Sequence, residues 1–331
     1  MLESLISPRP RPSPWFCGLP TVRGTQTWAL CCSSFKKSIP GVTVEIVDLD
    51  RAGWALDLFL DGQRADVFLW DSGALWFRDR LAAIEGADLE LWDDIREDYS
   101  PGAWEAFRAG GVQWGIPAGL DPFVVYINLD RIRELKVPVP QPDWSVHELV
   151  ALASQLNYPE GLPSASSDRL FGFCTSYRYA IDPLAFIYDH GGGLVDDIYE
   201  PTIPTLDDPV TVEAVQWYTD VYTEYKVTPD PDVMGSAFAT LDYHDVIYQG
   251  ACGVWLGLLS ERGGTWPVKW ACSWKMLPVP MQGSELALGG FQGYFVTKEC
   301  ARPWEAFQLV RFLSDHWEAA LPYHPPRASL S

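Results

Sequence analysis

Three short segments near the front of the chain constrain its fold more than any other feature. Val42, Val44 and Ile46 alternate with Thr43 and Glu45, a period of two that reads as a strand, and Pro40-Gly41 supplies a turn ahead of it. Trp54 to Leu60 reads as a helix. Val67-Phe68-Leu69-Trp70 is a continuous apolar run, as in a strand covered on both faces. Strand, helix, strand is a βαβ rhythm, and it calls for a parallel or mixed sheet flanked by helices. The expected class is α/β.

The rest of the chain fits that class. Gly115-Ile116-Pro117 and Phe123-Val124-Val125-Tyr126-Ile127 read as two extended runs flanking Gly119-Leu120-Asp121-Pro122. Ser145 and Glu148 form a capping box, with Val146, Leu149, Val150, Ala153 and Leu156 along one face of the helix they open. Asp208-Pro209 opens another helix with proline at its first position, and Val215, Tyr218, Tyr222 and Tyr225 mark its expected buried stripe. Gly253-Val254-Trp255-Leu256 reads as a strand, and so does Trp270 to Leu277, stopped by Pro278. The first 34 residues lack a period and read as irregular. A length of 331 residues suits two domains. There is no internal repeat or long linker, so a second domain arises by the chain crossing over.

The formal net charge of -20 argues against nucleic acid and against an anionic membrane surface as partners. The doublets Asp93-Asp94, Asp196-Asp197 and Asp207-Asp208 fit solvated loops, and Asp230-Pro231-Asp232 lacks the glycine and closing glutamate of a calcium loop. The 7 cysteines show no CxxC or Cys/His spacing. Cys174, Cys252, Cys272 and Cys300 sit among apolar residues and read as buried free thiols, with a Cys252–Cys272 bridge as the alternative. No apolar run is long enough to span a bilayer, and Met1 to Pro20 holds no continuous apolar core of a signal peptide. Read literally, the chain stays in the cytoplasm.

Catalytic signatures are missing. The sequence has no GxxxxGK[ST], no GxGxxG after a strand, no HExxH and no GxSxG. Gly191-Gly192-Gly193 reads as a turn, and the 5 histidines are scattered, so neither a metal nor a cofactor is expected. The candidate ligand residues each carry two readings. Trp70 and Asp71 end a strand, where α/β proteins place ligands; they stack and accept hydroxyls, or they are a core indole and a helix cap. Asp121 takes neighbouring hydroxyls or forms an Asp-Pro turn. Trp255 is a stacking platform or core. Gly289-Gly290-Phe291 reads as a ligand loop, because adjacent glycines weaken a sheet unless backbone must come close. The 16 tryptophans suit a protein that stacks indole on sugar faces.

From Phe35 to the C-terminus the order of segments resembles the extracellular solute-binding proteins of ABC importers, in the sugar-binding branch that includes maltose-binding proteins. The matching strings are Phe35-Lys36-Lys37-Ser38-Ile39-Pro40-Gly41-Val42-Thr43-Val44-Glu45, Ala65-Asp66-Val67-Phe68-Leu69, Gly115-Ile116-Pro117, and Val125-Tyr126-Ile127-Asn128-Leu129-Asp130. Val137-Pro138-Val139-Pro140, Phe171-Gly172-Phe173, Gly191-Gly192-Gly193-Leu194-Val195-Asp196, Gly250-Ala251-Cys252-Gly253-Val254 and Leu288-Gly289-Gly290-Phe291 follow in order.

The resemblance implies a two-lobed, periplasmic-binding-protein-like (type II) α/β fold with mixed sheets and an inter-lobe cleft. Residues 35–122 and 284–331 would form lobe 1 and residues 123–283 lobe 2, behind an irregular 1–34 segment. It implies hinge closure on a carbohydrate, delivery to the permease subunits of an ABC transporter, an extracytoplasmic location, a monomer and no enzymatic activity. By position it assigns Trp70, Asp71 and Asp121 to the ligand on lobe 1, Tyr177 and Trp255 on lobe 2, and Gly289-Gly290-Phe291 to the family's glycine–glycine–aromatic loop. The family's export signal, first strand and closing C-terminal helices are not recognisable, so the chain reads as cut at both ends. A glycoside hydrolase and a same-fold binder of a non-sugar such as a polyamine are the alternatives.

Overall fold

The computed structural model describes residues 15–19, 34–35, 42–48, 56, 60, 65–100, 102–157, 171–174, 181–198, 201–228, 243–264, 269–281, 288–317 and 323–330. Its main strands are β1 (Trp15–Leu19), β2 (Val44–Asp48), β3 (Val67–Asp71), β4 (Gly115–Asn128), β5 (Phe171–Cys174), β6 (Cys252–Leu258), β7 (Trp274–Pro278) and β8 (Gly289–Val296). Its main helices are α1 (Leu129–Leu135), α2 (Val146–Leu156), α3 (Ile181–Asp189), α4 (Pro209–Thr223), α5 (Tyr243–Tyr248) and α6 (Pro303–Asp315). The chain divides into two compact units, residues 1–120 with 290–331 and residues 121–289.

In the first unit the strand order is β2-β1-β3-β8-β4. The N-terminal stretch read as irregular therefore supplies a strand. β1 runs parallel to β2 from Trp15 opposite Val44 to Leu19 opposite Asp48, and it also pairs with β3. Prolines at 8, 10, 12, 14 and 20 flank it and hide its short period. Of the expected helix over 54–60, Leu56 and Leu60 are helical and the other residues lie outside the described set. One face of the sheet, with Val44, Val67, Leu69, Ile116, Tyr294 and Val296, packs on Ala306, Phe307, Leu309, Val310 and Leu313 of α6. The other buries Phe68 and Phe295, whose rings stack at 5.4 Å, with Phe107 edge-on to Phe295 at 5.5 Å. Burial on both faces explains the unbroken apolar run at 67–70.

In the second unit β6 lies between β4 and β5, and β7 also pairs with β4. β4 is one strand where two runs and an intervening turn are expected. Pro117 and Pro122 suggest breaks because proline has no N–H to give a ladder. The strand carries them because its partners change along its length: Leu120 bridges His324, whereas pairing with β6 begins at Phe123 opposite Leu258. The capping box forms as expected, with the Ser145 N–H donating to Glu148 Oε2 at 2.8 Å and the Glu148 N–H to Ser145 Oγ at 3.3 Å. Val146, Leu149, Val150, Ala153 and Leu156 are buried. The α4 stripe is rotated from the expected one. Thr211, Ala214 and Val221 face inward, Tyr218 and Tyr222 are half-buried, and Val215 and Tyr225 are exposed. The two small buried residues let α4 sit close, and a reading by large side chains alone misses them.

The thiols also differ from expectation. Cys174 and Cys252 are joined in a disulfide across the parallel β5–β6 pair, with Cα atoms 5.9 Å apart. Cys272, proposed as a partner of Cys252, is free, and so is Cys300. The reading as buried thiols fails for the bridged pair because adjacent strands bring residues far apart in sequence within bonding reach. Reduction, or Cys174→Ser with Cys252→Ser, is expected to lower the stability of the fold by about 2–4 kcal/mol. Denaturant melts with and without a reductant measure this, and coincident curves would remove the bridge from the account.

Candidate functional site

In the first unit, β3 and β8 bring Trp70, Asp71, Gly290 and Phe291 to one end of the sheet. They run antiparallel, with Trp70 opposite Gly293 and Asp71 opposite Gln292. Residues directly opposite share a face and so do their neighbours two along, so Trp70 and Phe291 lie on the same side. Both are half-buried against the cluster of Phe68, Phe107 and Phe295. Gly293 leaves room for the Phe107 ring, since a Cβ there would stand 2.5 Å from Phe107 Cε1. The result is an aromatic floor of Trp70 and Phe291.

Asp71 closes this end of the strand. Its Oδ1 accepts the Gly73 N–H at 2.7 Å and caps the 3-10 helix Ser72–Arg80. Capping and ligand contact are compatible for an exposed carboxylate with a second oxygen. The helix it starts carries Trp76, which is 86% exposed. An indole this bare is unusual, because tryptophan normally buries most of its area. Trp76 is missing from the sequence-based candidates; its position six residues beyond Trp70, just past the strand end, is the signal that could have found it.

In the second unit, the structure gives two candidates other work. Asp121 is not in a turn but within β4, and only 3% exposed. Its Oδ1 accepts the Ser260 N–H at 2.9 Å and its Oδ2 accepts the Ser260 hydroxyl at 2.7 Å. Burial pushes its carboxyl up from the ordinary value, and the two bonds from Ser260 pull it part of the way back. Both oxygens of Asp121 thus hold one serine of the chain, which fastens the segment after β6. Trp255 is fully buried, 5.7 Å from a stacked Tyr126 and edge-on to Trp270 at 5.1 Å. Of its two readings, this packing is the core one. Tyr177 lies outside the described residues.

The glycine pair opens β8 as part of a strand. A Cβ on Gly289 would stand 2.9 Å from Pro122 Cα, and the Phe123 N–H donates to Leu288 O at 2.9 Å. The close backbone neighbour that Gly289 admits is therefore the chain itself. A cavity of about 580 Å³ lies nearby in the second unit, lined by residues including Phe123, Val124, Trp144, Leu259, Met276 and Leu288. The indole N–H of Trp144 donates to Pro278 O at 2.9 Å. A lining this apolar offers little to hydroxyls. Among the described residues, no three His, Cys, Asp or Glu side chains are grouped to hold a metal, and no helix is long and apolar enough to cross a membrane.

No protein-family model matches the chain. Its structure is similar to the ABC substrate-binding protein Lmo0181 from Listeria monocytogenes in complex with cycloalternan, at 18% identity and a TM-score of 0.71 over 92% of this chain and 76% of that one. It is also similar to maltose-bound MalE3 of T. maritima, at 19% identity and a TM-score of 0.69 over 96% and 82%. A third neighbour is UgpB from Mycobacterium tuberculosis in complex with glycerophosphocholine, at 15% identity and a TM-score of 0.71 over 96% and 80%. The neighbours are two-lobed solute-binding proteins, sugar binders among them, and this chain shares their α/β fold.

Proposed function

We propose that the protein is an extracytoplasmic solute-binding protein that captures a carbohydrate, releases it chemically unchanged and delivers it to the permease of an ABC importer. The observation that carries this reading is a fold shared over more than nine-tenths of the chain with solved proteins of that kind, two of them holding saccharides. The Cys174–Cys252 disulfide supports an oxidising compartment outside the cytoplasm. Trp70 and Phe291 supply apolar faces for sugar C–H groups, and Asp71 supplies an acceptor for hydroxyls. Asp121, Gly289 and Trp255 serve the fold of the second unit instead of touching the solute.

The test is a thermal-shift panel of neutral mono- and oligosaccharides, run beside a hydrolysis assay on the same compounds. A ligand at a hundredfold excess over its Kd is expected to add about 2.7 kcal/mol of stability. Turnover of a glycoside would transfer the protein to the hydrolases. A shift with glycerophosphodiesters or polyamines and with no sugar would keep the fold's role and change the solute. Trp76 is assigned to the same site as an outer stacking face. Trp76→Ala is expected to weaken sugar binding by about tenfold, as loss of an aromatic anchor does, without moving the melting temperature of the unliganded protein. Calorimetry with unchanged affinity would return Trp76 to the bare surface.

A further inference from the structure

Among the described residues, large apolar side chains standing in solvent gather in one segment of the second unit. Ile198, Ile203, Leu206, Val210, Val212 and Val215 are exposed, Ile203 to 61% and Leu206 to 59%. Single exposed hydrophobics are ordinary on any protein, whereas several in one segment offer a surface that another molecule can cover.

The segment is held in shape by its own bonds. The Asp196 N–H donates to Ile203 O at 3.0 Å and the Thr205 N–H to Leu194 O at 2.9 Å. The Asp196 carboxylate accepts the N–H groups of Thr202 and Ile203, each at 2.9 Å, and the Thr202 hydroxyl. Gly193 O takes the hydroxyls of Thr205 at 2.9 Å and Thr211 at 3.0 Å, which ties this loop to the first turn of α4. A surface ordered before contact loses little freedom on binding.

Its charge is one-sided. Asp196, Asp197, Asp207, Asp208 and Glu213 are exposed in the same segment, and the sequence has neither lysine nor arginine between residues 191 and 225. We propose that residues 196–198 and 201–215 form the docking surface for the importer's membrane permease, meeting a patch with an apolar centre and a rim of lysine and arginine. This rests on the solute-binding reading above. Charge selects the occupant: a second copy would bring the same acids and a further -20, and an anionic lipid surface would repel them, whereas a basic rim neutralises them.

The experiment measures docking of the full chain to the importer's permease subunits in nanodiscs, with sugar affinity measured in parallel. Ile203→Asp combined with Leu206→Asp is expected to weaken docking about tenfold or more while leaving sugar affinity unchanged. Leu135→Asp, at an exposed apolar position on α1, is expected to dock as the parent does. Wild-type docking is expected to weaken with added salt. Full docking by the double variant, or no docking by the wild type, would overturn the proposal. Absence of any sugar binding by a wild type that docks would sink the solute reading alone.

Discussion

Arg327→Ala is expected to lower the stability of the first unit by about 3–5 kcal/mol, the range for removing one partner of a buried ion pair. Arg327 is a buried guanidinium with two acids. Its Nε donates to Asp98 Oδ2 at 2.9 Å and its Nη1 to Asp315 Oδ1 at 2.7 Å. Those contacts tie the C-terminal segment to α6 and to the turn at 96–98. Around them, the Ser100 N–H donates to Pro326 O at 2.8 Å, and Leu120 and His324 exchange N–H···O bonds at 2.8 Å. Tyr323 packs over Gly119, where a Cβ would stand 2.6 Å from Tyr323 Cβ. Asp98 and Asp315 are partly exposed, so water takes up part of their loss and the lower end of the range is favoured. Arg327→Lys should recover only part of the stability, because an ammonium cannot present the flat fork that serves both acids.

The same cluster sets a pH dependence. The Ser329 hydroxyl, and after it Arg327, hold the Asp98 carboxyl below its ordinary value. The unfolded chain therefore takes up this proton more readily than the folded one. The stabilisation is complete above the ordinary carboxylate pKa of about 4 and is lost as the pH falls through the lower folded value. Urea midpoints measured across that range should converge for wild type and Arg327→Ala at the acid end. Parallel curves down to the lowest pH would remove Asp98 from the explanation.

Gly172→Ala is the second large effect, expected to cost about 3 kcal/mol or more as overpacking against backbone that cannot swing aside. β5 is buried throughout and lies against α2, where a Cβ on Gly172 would stand 1.9 Å from Ala153 O and 2.6 Å from its carbonyl carbon. Gly253 on the next strand faces the same helix, with its Cβ position 2.8 Å from Leu156 Cβ. The sheet and the helix meet at a distance that only hydrogen side chains permit. Gly191→Ala is the control: φ there is +82°, no atom lies within 4 Å of the added Cβ, and the cost should be about 1 kcal/mol. Equal losses in thermal melts of the two variants would show that contact with α2 is not the cause.

Elements with a strong local signal were legible in the sequence. The capping box at Ser145 and the apolar stripe behind it specify α2 completely, because cap and periodicity act within one helix. The run at 67–70 reports burial on two faces without saying what covers them. What failed depended on distant partners. The strand at Trp15–Leu19 is invisible without β2 and β3 beside it. The prolines of β4 look like stops until the change of neighbours is known, and Cys174 is joined to Cys252 across a sequence separation of 78, which no local pattern announces. The candidate site divides the same way. Trp70 and Phe291 lie on one face as antiparallel pairing dictates, whereas Asp121 and Trp255 are occupied by Ser260, Tyr126 and Trp270, contacts that no local pattern announces.

The interruption of one unit by the other also sets an order of events during synthesis. Every residue of the inner body, 121 to 289, has left the ribosome before the outer body receives β8, α6 and the Arg327 segment. The portion made first must therefore wait, its sheet lacking a strand, while the portion made later is already able to close. A chain truncated after residue 289 and released should protect Gly172 from protease and leave the 67–71 region open to cleavage.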